Sequence, residues 1–246
     1  MKWCSHVSIG KAIADRLELT PGERKAFLDG LVEPDRHKER IGGPRRSYRV
    51  GHHHPSHRTF MLHIWTARRS FLRNDSYQGY RHLGMALHYL QDRSTSKGLF
   101  GLTHSRREEA LAKLDVPERA IVMGMQKAVS SPRFVSRSLA LTKPLKDPRE
   151  VMVQASFRSA AVAAAVVDLE RPRGLGQRYQ ALHRRHSLIL LPAAIASLAI
   201  GLSLSAAMAS PVPLVLSAGV SLGAIVLDRP YVHLSRLVEW YGLKGR

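Results

Sequence analysis

From Ser187 to Leu227 the chain carries no charged residue, a run of 41 positions. No other feature limits the fold so strongly. The first part, "SLILLPAAIASLAIGLSLSAAMA" (187–209), is 23 apolar or small residues. A helix needs about 20 such residues to cross a bilayer. "PVPLVLSAGVSLGAIVL" (211–227) follows a Ser210-Pro211 turn and lies near the lower length limit for a span. The sequence therefore predicts a two-helix transmembrane hairpin. Gly201, Ser205, Gly219 and Gly223 are small enough to let the two helices approach closely.

The flanks of this run are basic. "HRRH" (183–186) precedes it; Arg229, Arg236, Lys244 and Arg246 follow it. The turn between the spans is uncharged. The positive-inside rule then predicts a multi-pass cell-membrane protein whose N-terminal domain and C-terminus are both cytoplasmic. The formal charge of the whole chain is +19 and the pI about 10.9. Such a balance favours a negatively charged partner: an anionic lipid surface, nucleic acid or a phosphorylated substrate. "RPRGLGQRYQALHRRH" (171–186) is suited to lie on anionic headgroups. Cys4 is the one cysteine, so an intrachain disulfide and a cysteine-based zinc site are excluded. The N-terminus has no long apolar core and does not read as a secretory signal.

Ahead of the hairpin the pattern is helical, with little alternation to suggest strands. "SIGKAIADRLEL" (8–19), "RTFMLHIWTARRSFL" (58–72), "YRHLGMALHYLQDR" (80–93) and "SRREEALAKL" (105–114) have helical spacing. Leu83, Leu87 and Leu90 form the apolar stripe of the third. Thr20-Pro21-Gly22-Glu23 is a capping box opening a helix. Residues 33–57, dense in charge with Pro34 and the Gly42-Gly43 pair, read as a loop. Residues 117–170 continue helical, ending in an Ala/Val stretch too short between its charges to span. The expected organisation is all-α: a helical domain over 1–130, a helical extension and basic link over 131–186, the hairpin over 187–227 and a basic tail over 228–246.

Ten of the 13 histidines fall in the first 104 residues. Histidine clustered with Asp and Glu is what a metal site requires, since neutral imidazole and carboxylate both bind zinc. The candidates are His6, Asp35, His52, His53, His54, His57, His63, His82, His88, Asp92, His104 and Glu108. His88/Asp92 and His104/Glu108 are spaced four apart, one helical turn. With 13 histidines and 19 acids in 246 residues, about one such pair arises by chance, and its plain reading is a solvated ion pair on a helix face. No nucleophile elbow, phosphate-binding loop or dinucleotide glycine motif is present.

The order of the pieces adds more than any pair. Trp3 and His6 are followed by Asp35 in "GLVEPD", the His52–His54 run, "LGMALHYLQD" and His104-x-x-x-Glu108. Over roughly residues 1–110 this series resembles the zinc-dependent phospholipase C family, an all-helical fold shared with fungal single-strand-specific nucleases. "GMALHYLQD" is its most specific part. The resemblance implies that His53 or a neighbour such as His54, with His88 and Asp92, holds one zinc. Asp92 would bridge to a second, held by His6 and the Trp3 region. His104 and Glu108 would hold a third, and Asp35 would orient or deprotonate the attacking water. One to three zinc ions are thus expected. Two positions depart from the family. Met1 and Lys2 precede Trp3, whose amino group is a ligand in the family, and Gly98 stands where the family has a further histidine.

The expected function is a membrane-anchored, zinc-dependent phosphodiester hydrolase acting on phospholipid headgroups. A single-strand-type nuclease of the same fold and a non-catalytic membrane scaffold are the alternatives.

Overall fold

The computed structural model describes residues 1–36, 40–43, 46–49, 56–96 and 102–244; for 40–43, 46–49 and 102–105 it describes the backbone alone. His52, His53, His54 and Gly98 therefore lie outside the described residues, as does the side chain of His104. The chain is all-α apart from one short ribbon, and it divides into two compact units, 1–169 and 170–246. The boundary differs from those expected at 130 and 186. Helices of the expected extension pack into the first unit.

The first unit holds α1 (Trp3–Arg16), α2 (Pro21–Arg36), α3 (His57–Leu72), α4 (Ser76–Arg93), α5 (Leu102–Ala112), α6 (Glu118–Gln126), α7 (Pro132–Leu141) and α8 (Pro148–Val167). Side chains satisfy several of the orphan N–H groups at the helix starts. The Thr20/Glu23 capping box forms as expected: the Thr20 amide donates to Glu23 Oε2 at 3.0 Å, and the Glu23 amide to Thr20 Oγ1 at 3.4 Å. Ser56, Asp75, Ser131 and Asp147 cap α3, α4, α7 and α8. Within the region read as a loop, β1 (Arg40–Gly43) and β2 (Arg46–Arg49) pair antiparallel, Ile41 opposite Tyr48. Four-residue strands with a glycine pair are too short to show alternation in the sequence. Asp35, expected in that loop, instead lies in the last turn of α2, which continues through Pro34.

α4 is the central helix. An apolar stripe was expected, yet every residue from Leu83 to Asp92 is buried. A helix buried all round has neighbours on every side, and α2, α3 and α8 all pack on it. Glycines set the α2–α4 spacing. A Cβ on Gly30 would meet the Arg81 carbonyl oxygen at 2.1 Å, and one on Gly84 the Phe27 carbonyl at 2.3 Å. The two backbones touch there, and that contact carries the C-terminal turn of α2 onto the face of α4 that bears His88. Buried Arg68 of α3 donates to the Val166 and Asp168 carbonyls, at 2.8 and 2.5 Å, closing the C-terminus of α8. α8 is 20 residues long with a mean hydropathy of 1.3, so length and composition allow it to span a bilayer. The sequence reading excluded it for length; what marks it as a core helix is that 61% of its apolar window is buried within the protein.

The second unit contains the uncharged run. α9 (Leu175–Arg185), a π turn (His186–Leu190) and α10 (Leu191–Met208) form one continuous 34-residue helix. Pro192 cannot donate to the carbonyl four residues back, and the wider i→i−5 turn immediately before it lets the helix continue. Its apolar window has a mean hydropathy of 2.2 and is 6% buried. Leu188, Ile195, Ile200 and Leu202 project outward, each at least 60% exposed. This exposed apolar surface suits lipid rather than water. Among the described residues there are thus two helices long and apolar enough to cross a membrane, and a third if α11 (Val212–Leu227) and α12 (Arg229–Trp240), bent by 41°, count together.

α10 and α11 pack as a hairpin. Its close contact is at Gly201, where a Cβ would lie 1.9 Å from Ser217 Oγ. Ser205 Oγ accepts from the Leu214 amide at 3.1 Å. Gly219 and Gly223, expected at the same interface, have nothing within 4 Å. At the other end His186 and Asp228, the residues bounding the uncharged run, meet at 2.7 Å, and the Tyr231 ring stacks on His186.

Candidate metal centre

His88 and Asp92 lie on one face of α4, deep in the first unit; their side chains are 0% and 1% exposed. They are therefore not a solvated pair on a helix face. His88 Nδ1–H donates to the Leu31 carbonyl of α2 at 2.9 Å. This fixes the tautomer and leaves the Nε2 lone pair facing inward. Nε2 lies 3.4 Å from Asp92 Oδ2 and 3.6 Å from Asp35 Oδ1.

His6 approaches from α1. Its Nδ1–H donates to Gln91 Oε1 at 2.6 Å, and Gln91 in turn donates to Ser159 Oγ of α8 at 3.2 Å. His6 Nε2 lies 3.2 Å from Asp92 Oδ1, and its ring stacks on His88 with centroids 4.3 Å apart. Neither Nε2 makes a hydrogen bond among the described residues. Ligand atoms of His6, Asp35 and His88 all lie within 4.8 Å of one another. Ligands about 2.0–2.1 Å from a tetrahedral ion sit about 3.3 Å apart, so the three would have to draw together by up to about 1.5 Å to share one divalent cation. Buried imidazoles aimed at carboxylates, each with its far nitrogen held by a second group, form the arrangement of a metal-binding site.

Asp92 also faces a second cationic position. The Met1 α-amino group lies 2.8 Å from Asp92 Oδ1 and 2.9 Å from Glu108 Oε1 of α5. The resemblance gives an amino group of this kind to Trp3. In the structure the Met1 amine stands between the two carboxylates, while Trp3 is 54% exposed.

The charges follow from this packing. Burial pushes the His6 pKa down and the neighbouring His88 charge lowers it further, outweighing Asp92. Burial also acts against a charged His88. Asp92 close beside it, then the charge of Asp35 and the Leu31 carbonyl, reverse that and raise its pKa. Burial opposes the Met1 ammonium, yet Asp92 and Glu108 hold its pKa above the usual amine value. A proton on this cluster thus resides on His88 rather than His6.

Of the sequence candidates, the structure brings His6, Asp35, His88, Asp92 and Glu108 together. His104 is in α5, four residues before Glu108. His57 is elsewhere, bonded through Nε2 to Ser136 Oγ at 2.8 Å. His63 and His82 pair with each other across α3 and α4, Nδ1 to Nδ1 at 3.2 Å. Sequence reasoning missed Gln91, the Leu31 carbonyl and the Met1 amine. Gln91 had a signal, because a residue three after His88 in a helix shares its side of the helix. A backbone carbonyl leaves none. No protein-family model, curated protein or solved structure matches the chain.

Proposed function

We propose that the chain is a membrane-anchored, zinc-dependent phosphodiester hydrolase that acts on phospholipid headgroups. The convergence of two tautomer-fixed, buried imidazoles on Asp35 and Asp92 supports this reading most directly. An all-nitrogen-and-oxygen donor set of two histidines and carboxylates suits zinc. Bound zinc would lower the pKa of a coordinated water and offset charge on the phosphoryl oxygens. His6 and His88 supply neutral nitrogen donors, and Asp92 supplies an oxygen to each side. Asp35 is the open carboxylate, 31% exposed against 1% for Asp92. It orients the attacking water and accepts its proton. The phosphorus–oxygen bond to the glycerol then breaks, and the proton passes to the departing alkoxide. Cleavage on that side releases diacylglycerol and a phosphorylated headgroup.

The apolar hairpin holds the catalytic unit at its substrate, raising the effective concentration of lipid. With basic flanks on both sides of the uncharged run, two spans place the N-terminal unit and the C-terminus in the cytoplasm. Net charge of +19 favours anionic phosphate substrates. The test is elemental analysis of the full chain purified in detergent, with phosphorus release from mixed micelles. One to three zinc ions per chain, and loss of both metal and turnover in His88→Ala, are expected. A metal-free wild-type protein would refute the reading. Cleavage of single-stranded oligonucleotide with no turnover of lipid would assign the site to nucleic acid.

A further inference from the structure

The groups of the cluster differ in exposure. His6, His88 and Asp92 are at most 1% exposed, whereas Glu108 is 16% and Asp35 31% exposed. Asp35 is thus the group of the cluster most accessible to an incoming phosphate. The residue after Asp35 is Arg36, at the end of α2 and exposed. Its guanidinium lies over the Trp3 ring, 5.7 Å from the centroid. Trp3 is in the first turn of α1, three residues before His6 and two after the Met1 amine. One cation–aromatic pair thus joins the end of α2, next to Asp35, to the start of α1, next to the Met1 amine and His6.

Two other charged groups of these segments are matched among the described residues. Glu33, two residues before Asp35, is held bidentate by Arg81, with Nε to Oε2 at 2.7 Å. Lys2 pairs with Glu109 at 3.6 Å. Arg36 is exposed, and among the described residues it pairs with no carboxylate. The stacking has a second effect. An exposed tryptophan face is where a quaternary ammonium would bind, and here a guanidinium already covers it. A choline or ethanolamine headgroup would meet positive charge at the entrance, and a headgroup without a cation would not. The guanidinium fork also matches phosphate geometry.

We infer that Arg36, stacked on Trp3, is the specificity-determining residue of this site and selects anionic phospholipids over zwitterionic ones. The inference rests on the hydrolase reading and names its substrate class. Arg36 acts on the incoming substrate, so its contribution appears in KM more than in kcat.

The experiment uses the full zinc-loaded chain in detergent micelles containing either phosphatidylglycerol or phosphatidylcholine. Expected is a kcat/KM for phosphatidylglycerol about tenfold above that for phosphatidylcholine. Arg36→Glu should erase or invert the preference through KM, while Arg36→Lys keeps most of it. Trp3→Ala, which removes the platform, should narrow the ratio. An unchanged ratio in Arg36→Glu, or a wild-type preference for phosphatidylcholine, would overturn the inference with hydrolysis intact. Turnover of neither lipid by the wild type would instead remove the hydrolase reading, and the inference with it.

Discussion

Gly30→Ala adds one carbon where α2 and α4 touch. The new Cβ would lie 2.1 Å from the Arg81 carbonyl oxygen, and this neighbour is helix backbone, not the end of a side chain. Relief requires α2 and α4 to separate by about 1 Å, an overpacking cost of about 1–3 kcal/mol. Alanine's better helix propensity offsets about 1 kcal/mol of that. The net loss of stability is therefore small, with Tm falling about 2–4 °C per kcal/mol in a unit of this size. The effect on the site should be larger. Leu31 and Asp35 ride on α2, while His88 rides on α4. Moving the helices apart stretches the 2.9 Å bond from His88 Nδ1 to the Leu31 carbonyl. It also carries Asp35 beyond its present 3.6 Å from His88 Nε2. Losing the partner that orients a metal-binding histidine costs about 10–100-fold in affinity. Isothermal titration with zinc should show a loss of that order. Gly22→Ala is the internal control: it makes the same change in the first turn of the same helix, where nothing lies within 4 Å. If Gly30→Ala binds zinc as tightly as Gly22→Ala, glycine-set spacing does not position the site.

Four further outcomes are expected. In metal-free protein the two histidines act with opposite sign. His88, with a raised pKa, stabilises the fold below about pH 6.5, and this is lost as pH rises through its folded value. His6, with a lowered pKa, costs stability as pH falls below about 6.5. Their joint contribution therefore peaks near pH 6.5, and chemical denaturation across pH should show that His88→Gln abolishes the alkaline loss and lessens the acid one, since the His88 charge is part of what lowers His6. Because a bound cation displaces the His88 proton, zinc affinity should rise with pH above that point, with proton release measurable in buffers of different ionisation enthalpy. Asp92→Asn removes the carboxylate facing His6, His88 and the Met1 amine, and metal-free stability should fall by about 3 kcal/mol in urea titration. Arg68→Met takes the side-chain donor from the Val166 carbonyl, while Ser130 Oγ still donates to Asp168; a loss of about 1–2 kcal/mol with unchanged zinc binding would separate fold from site.

The features legible in the sequence are those that act locally. The uncharged run from Ser187, the Thr20 capping box and the helices around His63 and His88 depend on composition and short spacing, and they appear as expected. Which residues converge depends on helix–helix contact, and that is harder to read. His6, Asp35 and His88 could be named as candidates. That they meet follows from Gly30 and Gly84, which read as unfavourable residues in helix interiors until the partner helix is placed against them. Likewise Gly201 and Gly219 look equivalent in the sequence, and only Gly201 faces the neighbouring helix. The full burial of 83–92 was hidden because His88, Gln91 and Asp92 read as a polar edge, when their partners are on α1, α2 and α8.

The chain closes its apolar hairpin with a turn, Ala209 to Pro211, whose backbone enters the left-handed region at Ala209. The polar pair at the opposite end, His186 and Asp228, sits where the run begins and stops. A charged residue carried to the centre of a bilayer costs about 2.5–3.5 kcal/mol on the insertion scale. With two spans, the tip that must travel has no charge, and the groups that resist travel are already joined behind it. Insertion of such a hairpin would then need only one translocation event, tip first as a wedge, with the hydrogen-bonded His186–Asp228 clasp at the trailing end.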